Sequence, residues 1–513
     1  MRLCFSLTLL ALHCGCGGGR LLILLEPPSV DQLNPLKDTR LTKYSLRVSQ
    51  AGQVTDQEAV RTDVAELSVG TVPTGEPFDL RLAAKSAADE MLGLGFVRDV
   101  RAAETGESSV KVYFRKPVAY VGGRDRVIPL NTAAGSAEAP ELGSFSLPGI
   151  SRVTDVAATP NGAWVLVAAD SSLVPVLTSN HSVLEKVTLK APVSCVAVSP
   201  DSRYAVVCHK TGVSVVELAR IGTPDVPYRT VEVTGGEPMR VVFGADRRTA
   251  HVLANAMPSL GDCPGTPSLL GKLDVDAPDV VVPDNLQQAV ADIAVDPRDG
   301  GLLLALPCAG AGALGRLRNN VAEVLDVRVP APYDIAIAEK SFLVAGRMSG
   351  TSEGMRVVRF DLTTPGFNVV DDRTNGFPPL ELGFRNISAG SGYLSWASEP
   401  AKLRIHHLAV SPDARRAVAM FRVDYSSDLT NVSCQYRAKS QADGYMILDL
   451  AASAIVFFSV TQLRVDDCYS NCLATSPPQQ LPFTDPAVCK AEYKRVIVKS
   501  ELELAASSLL FGG

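Results

Sequence analysis

One segment recurs along this chain. Asp155-Val-Ala-Ala-Thr-Pro-Asn-Gly-Ala-Trp-Val-Leu-Val returns as Cys195-Val-Ala-Val-Ser-Pro-Asp-Ser-Arg-Tyr-Ala-Val-Val and again as His407-Leu-Ala-Val-Ser-Pro-Asp-Ala-Arg-Arg-Ala-Val-Ala. Weaker copies begin at Arg240, Asp292 and Asp334. Each copy reads as a short apolar strand, a turn of Pro-Asp or Asn-Gly type and a second β-rich strand, which is a hairpin signature. Further strands follow within the repeats, such as Gly212-Val-Ser-Val-Val-Glu-Leu and Met355-Arg-Val-Val-Arg-Phe-Asp-Leu. The starts lie 40, 45, 52, 42 and 73 residues apart, mostly near the roughly 40–50 residues of a four-stranded propeller blade. Residues 373–402, with Asn375-Gly376-Phe377-Pro378-Pro379 and a Gly/Ser-rich stretch, read as an inserted loop in the long interval.

Six copies need a seventh partner. Val118-Ala-Tyr-Val-Gly-Gly-Arg-Asp-Arg-Val-Ile-Pro-Leu supplies strands of another blade, which Arg495-Val-Ile-Val-Lys-Ser-Glu-Leu-Glu-Leu would complete. Joining the two ends in one blade closes the ring and removes open edges. The expected fold class is all-β: a seven-bladed β-propeller over residues 117–513, closed by N- and C-terminal strands and preceded by a small β-sandwich over 40–116. The sandwich is read from the alternating segments Lys43-Tyr-Ser-Leu-Arg-Val, Phe78-Asp-Leu-Arg-Leu and Ser109-Val-Lys-Val-Tyr-Phe. It is expected to act as a spacer. The repeat resembles the YVTN-repeat propellers of bacterial surface and periplasmic proteins, related to the lactonase-like propellers, with Val196-Ala-Val-Ser-Pro-Asp-Ser-Arg-Tyr-Ala-Val-Val as its best copy. Such a resemblance implies a fold more firmly than an activity.

Export follows from the N-terminus. Arg2, the apolar run Leu3 to Leu12 and the small residues after it form a secretory signal over residues 1–19. Cys14 and Cys16, followed by Gly17-Gly18-Gly19, are lipidation candidates of the bacterial lipoprotein type, and residues 20–39 are expected to link the anchor to the sandwich. Beyond Cys16 the cysteines Cys195, Cys208, Cys263, Cys308, Cys434, Cys468, Cys472 and Cys489 form an even set of disulfide candidates. The hairpin turn between Asp201 and Ser202 places Cys195 directly opposite Cys208. The pairing of the set as a whole stays open, since eight cysteines allow about 105 connectivities. A metal held by Cys434, Cys468, Cys472 and Cys489 is the competing reading, weakened by the absence of a nearby histidine. A net charge of −6 with scattered Lys and Arg gives no basic stripe, so nucleic acid is not an expected partner.

Several motifs invite chemistry. Gly310-Ala-Gly312-Ala-Leu-Gly315 fits a dinucleotide fingerprint but sits between strands. Gly350-Thr-Ser352-Glu-Gly354 fits a nucleophile elbow, with Asp371 or Asp372 and His406 or His407 downstream, but a strand rather than a helix follows it. Aspartates 274, 276 and 279 lack the glycine and glutamate of an EF-hand loop. His181, His209 and His251 stand alone, and Trp164 and Tyr204 mark blade packing.

Superposing the repeats aligns Asp155, Cys195, Arg240, Asp292, Asp334 and His407 at the start of the inner strands, a ring around a propeller channel. Asp155, Arg240, Asp292, Asp334 and His407 are therefore the candidate ligand-binding set, able to hold a divalent cation or grip a polar substrate. The competing reading makes each aspartate a bonding partner of nearby backbone amides. No catalytic set and no resident cofactor are expected. The sequence thus points to an exported, lipid-anchored, non-catalytic binding module of the cell envelope, engaging an envelope protein, glycan or small molecule. Its alternatives are a metal-assisted lactonase-like hydrolase at the channel and a structural scaffold of an envelope assembly.

Overall fold

The computed structural model describes residues 19–50, 53–60, 66–104, 106–134, 140–256, 266–309, 312–318, 320–325, 331–338, 341–347, 355–363, 368–369, 380–382, 395–398, 402–430, 434–451 and 454–472. Among them every regular element is a β-strand apart from three single 3₁₀ turns. The chain divides into two compact units, one of Met1–Glu232 with Asp246–Ala250 and Asp274–Asp279, the other of Val233–Ala245, His251–Leu273 and Val280–Gly513.

The first unit opens with seven strands: β1 (Gly19–Glu26), β2 (Leu41–Gln50), β3 (Gln53–Val60), β4 (Glu66–Val72), β5 (Phe78–Ser86), β6 (Met91–Val100) and β7 (Glu107–Tyr113). They form two sheets, β4-β1-β7 and β3-β2-β5-β6. Alternation decides which residues go inside. Leu21, Ile23 and Leu25 of β1, Val112 of β7, Leu46 and Val48 of β2 and Leu80 and Leu82 of β5 share one buried cluster. This corrects the expected linker. Residues 20–39 hold a central strand, because Gly-Arg-Leu-Leu-Ile-Leu-Leu-Glu has the period-two burial that a sheet with one covered face demands. The three apolar side chains of β1 are stably placed only under the facing sheet.

Among the described residues from Val118 onward the strands group into seven sheets in chain order. The first has three strands, Val118–Gly122, Arg126–Asn131 and Phe145–Ser146. The next four are four-stranded antiparallel meanders whose first strands are Val153–Ala158, Val193–Val198, Pro238–Phe243 and Asp292–Val295. The sixth begins with Pro332–Ile337, and the seventh is built on Lys402–Val410 and three long strands of 15, 16 and 19 residues. Of the expected insertion at 373–402, Leu380–Leu382 pairs with Met355–Asp361, and Ser395–Ser398 pairs with Arg416–Thr430.

Within each unit neighbouring sheets pack face to face. Leu166 and Leu173 of one sheet meet Val196 and Val207 of the next, and Leu303, Phe342 and Met446 join three successive sheets of the second unit. Small and β-branched residues suit this packing, since flat apolar faces fill without voids.

The hairpin turn of the repeat is fixed by side chains. In Thr159-Pro-Asn161, Ser199-Pro-Asp201 and Ser411-Pro-Asp413 the hydroxyl donates to the acid or amide two residues on, at 2.6–2.7 Å. The same hydroxyl accepts from the backbone N–H of Trp164, Tyr204 or Arg416. The fourth residue of the turn is left-handed: Gly162, Ser202 and Ala414 have φ of 77°, 60° and 55°. Gly, which reaches this region at no steric cost, or a small residue such as Ser202 or Ala414 therefore punctuates the repeat.

Candidate functional site

The first strands of successive sheets lie side by side within each unit, and the aligned repeat position falls inside these strands rather than before them. A one-residue register shift immediately precedes Asp155, Cys195, Asp334 and His407. A bulge of this kind bends the strand and re-aims the side chain that follows it. The recurring bulge was not foreseen from the sequence pattern, in which the skipped positions Thr154, Ser194, Tyr333 and His406 hold no single residue type.

In the first unit the Asp155 carboxylate accepts from its own neighbour, the Val156 N–H at 2.8 Å, and from the Val196 N–H of the next sheet at 2.9 Å. Cys195 stands at the equivalent place in that sheet and is disulfide-bonded to Cys208, the residue directly opposite.

The second unit repeats the pattern with a buried pair. Asp292 accepts from Ile335 N–H at 2.8 Å. Asp334 accepts from Ile335 N–H at 3.1 Å through one oxygen and from Leu408 N–H through the other. Each aspartate therefore grips the amide one residue past its own equivalent in the following sheet. The rule holds for Asp155 to Val196, Asp292 to Ile335 and Asp334 to Leu408. Two basic side chains flank the pair: Arg240 Nε lies 3.6 Å from Asp292 Oδ1, and His407 Nδ1 lies 3.2 Å from Asp334 Oδ2. Arg240 and His407 keep partial exposure while both aspartates are buried.

Burial sets the charge states. It combines with the neighbouring Asp334 charge to push the Asp292 carboxyl well above the usual carboxylate range, against the pull of Arg240. Burial also works to raise Asp334, but His407, its hydrogen bonds and Arg240 outweigh it and hold that carboxyl at about 2. The two shifts run in opposite directions across a hydrogen bond between the side chains, the protonated form being favoured at Asp292 and the charged form at Asp334. Sequence superposition brought Arg240, Asp292, Asp334 and His407 together, and the structure places these four in one continuous polar cluster of the second unit. Asp155 and Cys195 belong to the first unit.

Elsewhere the expected candidates divide. Cys308 is disulfide-bonded. The backbone register sets Cys434 opposite Cys472 and Cys468 opposite Ala438. Cys14, Cys16, Cys263 and Cys489 lie outside the described residues, as does the Gly350–Gly354 segment. Gly312 is followed directly by the strand Ala313–Arg318, so no helix is present to meet a dinucleotide there. Asp274 and Asp276 pair with Arg248 at 2.9 and 3.0 Å. His181 is not isolated: it stacks on Phe145 at 5.2 Å and meets Tyr120 edge-on at 5.8 Å. Among the described residues no group of three or more His, Cys, Asp or Glu is disposed to hold a metal ion, and no helix is long and apolar enough to cross a membrane.

No protein-family model matches this sequence, and no curated protein does. Solved structures similar to it include Kuenenia stuttgartiensis hydrazine synthase, at 14% identity and a TM-score of 0.38 over 59% of this chain and 89% of that one. A functionally unknown protein from Desulfotomaculum acetoxidans aligns at 12% identity and 0.41, over 62% and 93% of the two chains. The dihydro-heme d1 dehydrogenase NirN in complex with DHE aligns at 14% and 0.40, over 69% and 75%. Likenesses this distant transfer no activity to the chain.

Proposed function

We propose that this chain is an exported, non-catalytic binding module of the cell envelope, a seven-bladed β-propeller of the YVTN-repeat kind joined to an N-terminal β-sandwich and tethered by lipid at Cys14 or Cys16. The observation that carries the reading is the use made of the repeat-position aspartates. The carboxylates of Asp155, Asp292 and Asp334 accept backbone amides of the next sheet, so the recurrent polar set of the first strands is committed to joining sheets. A cation at Asp292 and Asp334 would have to displace those amides, which argues against the metal-assisted hydrolase. Seven sheets in chain order, packed in succession within each unit, support the propeller, and the disulfides at Cys195, Cys208 and Cys308 support export. The ligand is an envelope protein, a glycan or a small molecule taken on a face formed by the loops between strands.

Capture from an envelope extract and a glycan array, run with the purified chain with and without a chelator, tests this reading. Saturable binding indifferent to chelation is the expected result. Chelator-sensitive hydrolysis of a lactone panel that vanishes in Asp292→Asn would overturn it.

A further inference from the structure

The β5–β6 hairpin of the small domain and the tip of a hairpin in the third four-stranded sheet, Asp246-Arg247-Arg248, belong to the same compact unit. Arg247 joins them. Its Nη1 lies 3.3 and 3.4 Å from the two oxygens of Asp99, and its Nη2 lies 3.2 Å from Asp79 Oδ2. Asp79 in turn accepts from the Asp99 N–H at 3.3 Å and stands 3.7 Å from Arg98 Nη1. Arg98 is packed over the Phe96 ring, 4.9 Å from its centroid. Asp201, in the turn of the preceding repeat hairpin, adds its charge to the field at Arg98. One guanidinium thus bridges two carboxylates across a sequence separation of about 150 residues, in a geometry that Arg supplies and Lys does not.

Backbone conformation marks the same place. Arg247 and Asp99 face each other with φ of 66° and 54°, in the left-handed region that non-glycine residues rarely adopt. Such conformations persist where the surrounding contacts over-determine them. Arg248, the next residue, sends its side chain to Asp274 and Asp276 of its own sheet instead.

We propose that Arg247, with Asp79 and Asp99, is an ionic latch that clamps the small N-terminal domain onto the repeat region, and that ionic strength or an anionic partner competing for Arg247 releases it. The small domain is then a held element rather than a loose spacer. Because Arg247 and Asp99 keep substantial exposure, salt reaches the pair.

Hydrogen exchange read by mass spectrometry on the full chain tests the latch, in peptides covering residues 78–100 and 243–249. At low salt Arg247→Glu should speed exchange in both peptides by about tenfold or more, as should roughly 1 M salt with the wild-type chain. Arg247→Gly separates the latch from the turn. It relieves the left-handed strain, so a residue of purely local importance would leave residues 78–100 unchanged, whereas a latch residue deprotects them. Arg248→Ala is the control and leaves them protected. Unchanged exchange at 78–100 in both Arg247→Glu and Arg247→Gly would overturn the proposal, and salt-insensitive exchange in the wild-type chain would do the same.

Discussion

Both oxygens of Asp334 accept backbone amides, from Ile335 and Leu408, so an asparagine there turns its NH2 against one of two donors. Asp292 is different: its surroundings favour the protonated form, which can donate to Asp334 while the other oxygen accepts from Ile335. Asparagine reproduces that pattern. Denaturant unfolding should therefore show Asp334→Asn losing about 1–3 kcal/mol, the range for an unsatisfied buried donor, with Asp292→Asn close to wild type. The two residues also bend the pH profile in opposite senses. Asp334 is depressed from 3.8 to about 2, so its contribution is present above the unfolded value and is lost as pH falls through about 2. Asp292 is raised, so its contribution is full below 3.8 and declines as pH rises through its folded value. Melting curves across pH should show Asp292→Asn flattening the decline on the alkaline side; an unchanged slope would show that Asp292 is not the proton carrier. At the turn, Gly162 has φ of 77°, and a Cβ there would meet the Arg115 guanidinium within 2.8–2.9 Å. Gly162→Ala should lower stability by about 1–2 kcal/mol, the usual cost of a left-handed L-residue.

Pairs of strands carry the crosslinks. Cys195 and Cys208 sit opposite each other with Cα atoms 4.9 Å apart, 13 residues apart in sequence. A closed loop of that size stabilises by about 3 kcal/mol in the chain-entropy account. Replacing both cysteines by alanine should lower the unfolding free energy by about 2–4 kcal/mol, and a loss under 0.5 kcal/mol would place the bond outside the folding unit that is monitored. The register of the seventh sheet sets Cys434 opposite Cys472 in the same relation. Non-reducing peptide mapping should return a linked peptide containing these two; a Cys434–Cys489 or Cys468–Cys472 link instead would show that the register does not govern pairing. The Cys195 pair was legible beforehand because its hairpin turn is short and typed by Ser199-Pro-Asp201. The Cys434 pair was not, because strands of 16 and 19 residues carry three register shifts along their length.

For the molecule as a whole, repetition fixed what local physics can fix. Apolar hairpins with Thr-Pro-Asn and Ser-Pro-Asp turns read as β-structure, and recurrence of the repeat at intervals of 40, 45, 52, 42 and 73 residues made a series of small sheets legible from the chain alone. The alignment of Asp155, Asp292 and Asp334 was legible too, because equivalent positions in repeated units are placed equivalently. Their partners were not. Which amide an aspartate grips depends on how one sheet rests on the next, and a bulge with no sequence signature aims it. Likewise residues 20–39 were expected to be a linker, and Gly19–Glu26 proves to be a strand whose alternating burial exists only because a second sheet covers one face. What the chain alone made legible were the repeat hairpins, their turns and the opposition of Cys195 to Cys208, all set within single hairpins. The carboxylate bonds between sheets, the opposite shifts of the Asp292 and Asp334 carboxyls and the reach of Arg247 to Asp79 and Asp99 came only from tertiary packing. Burial and distance across sheets govern those, and neither is written in any local segment.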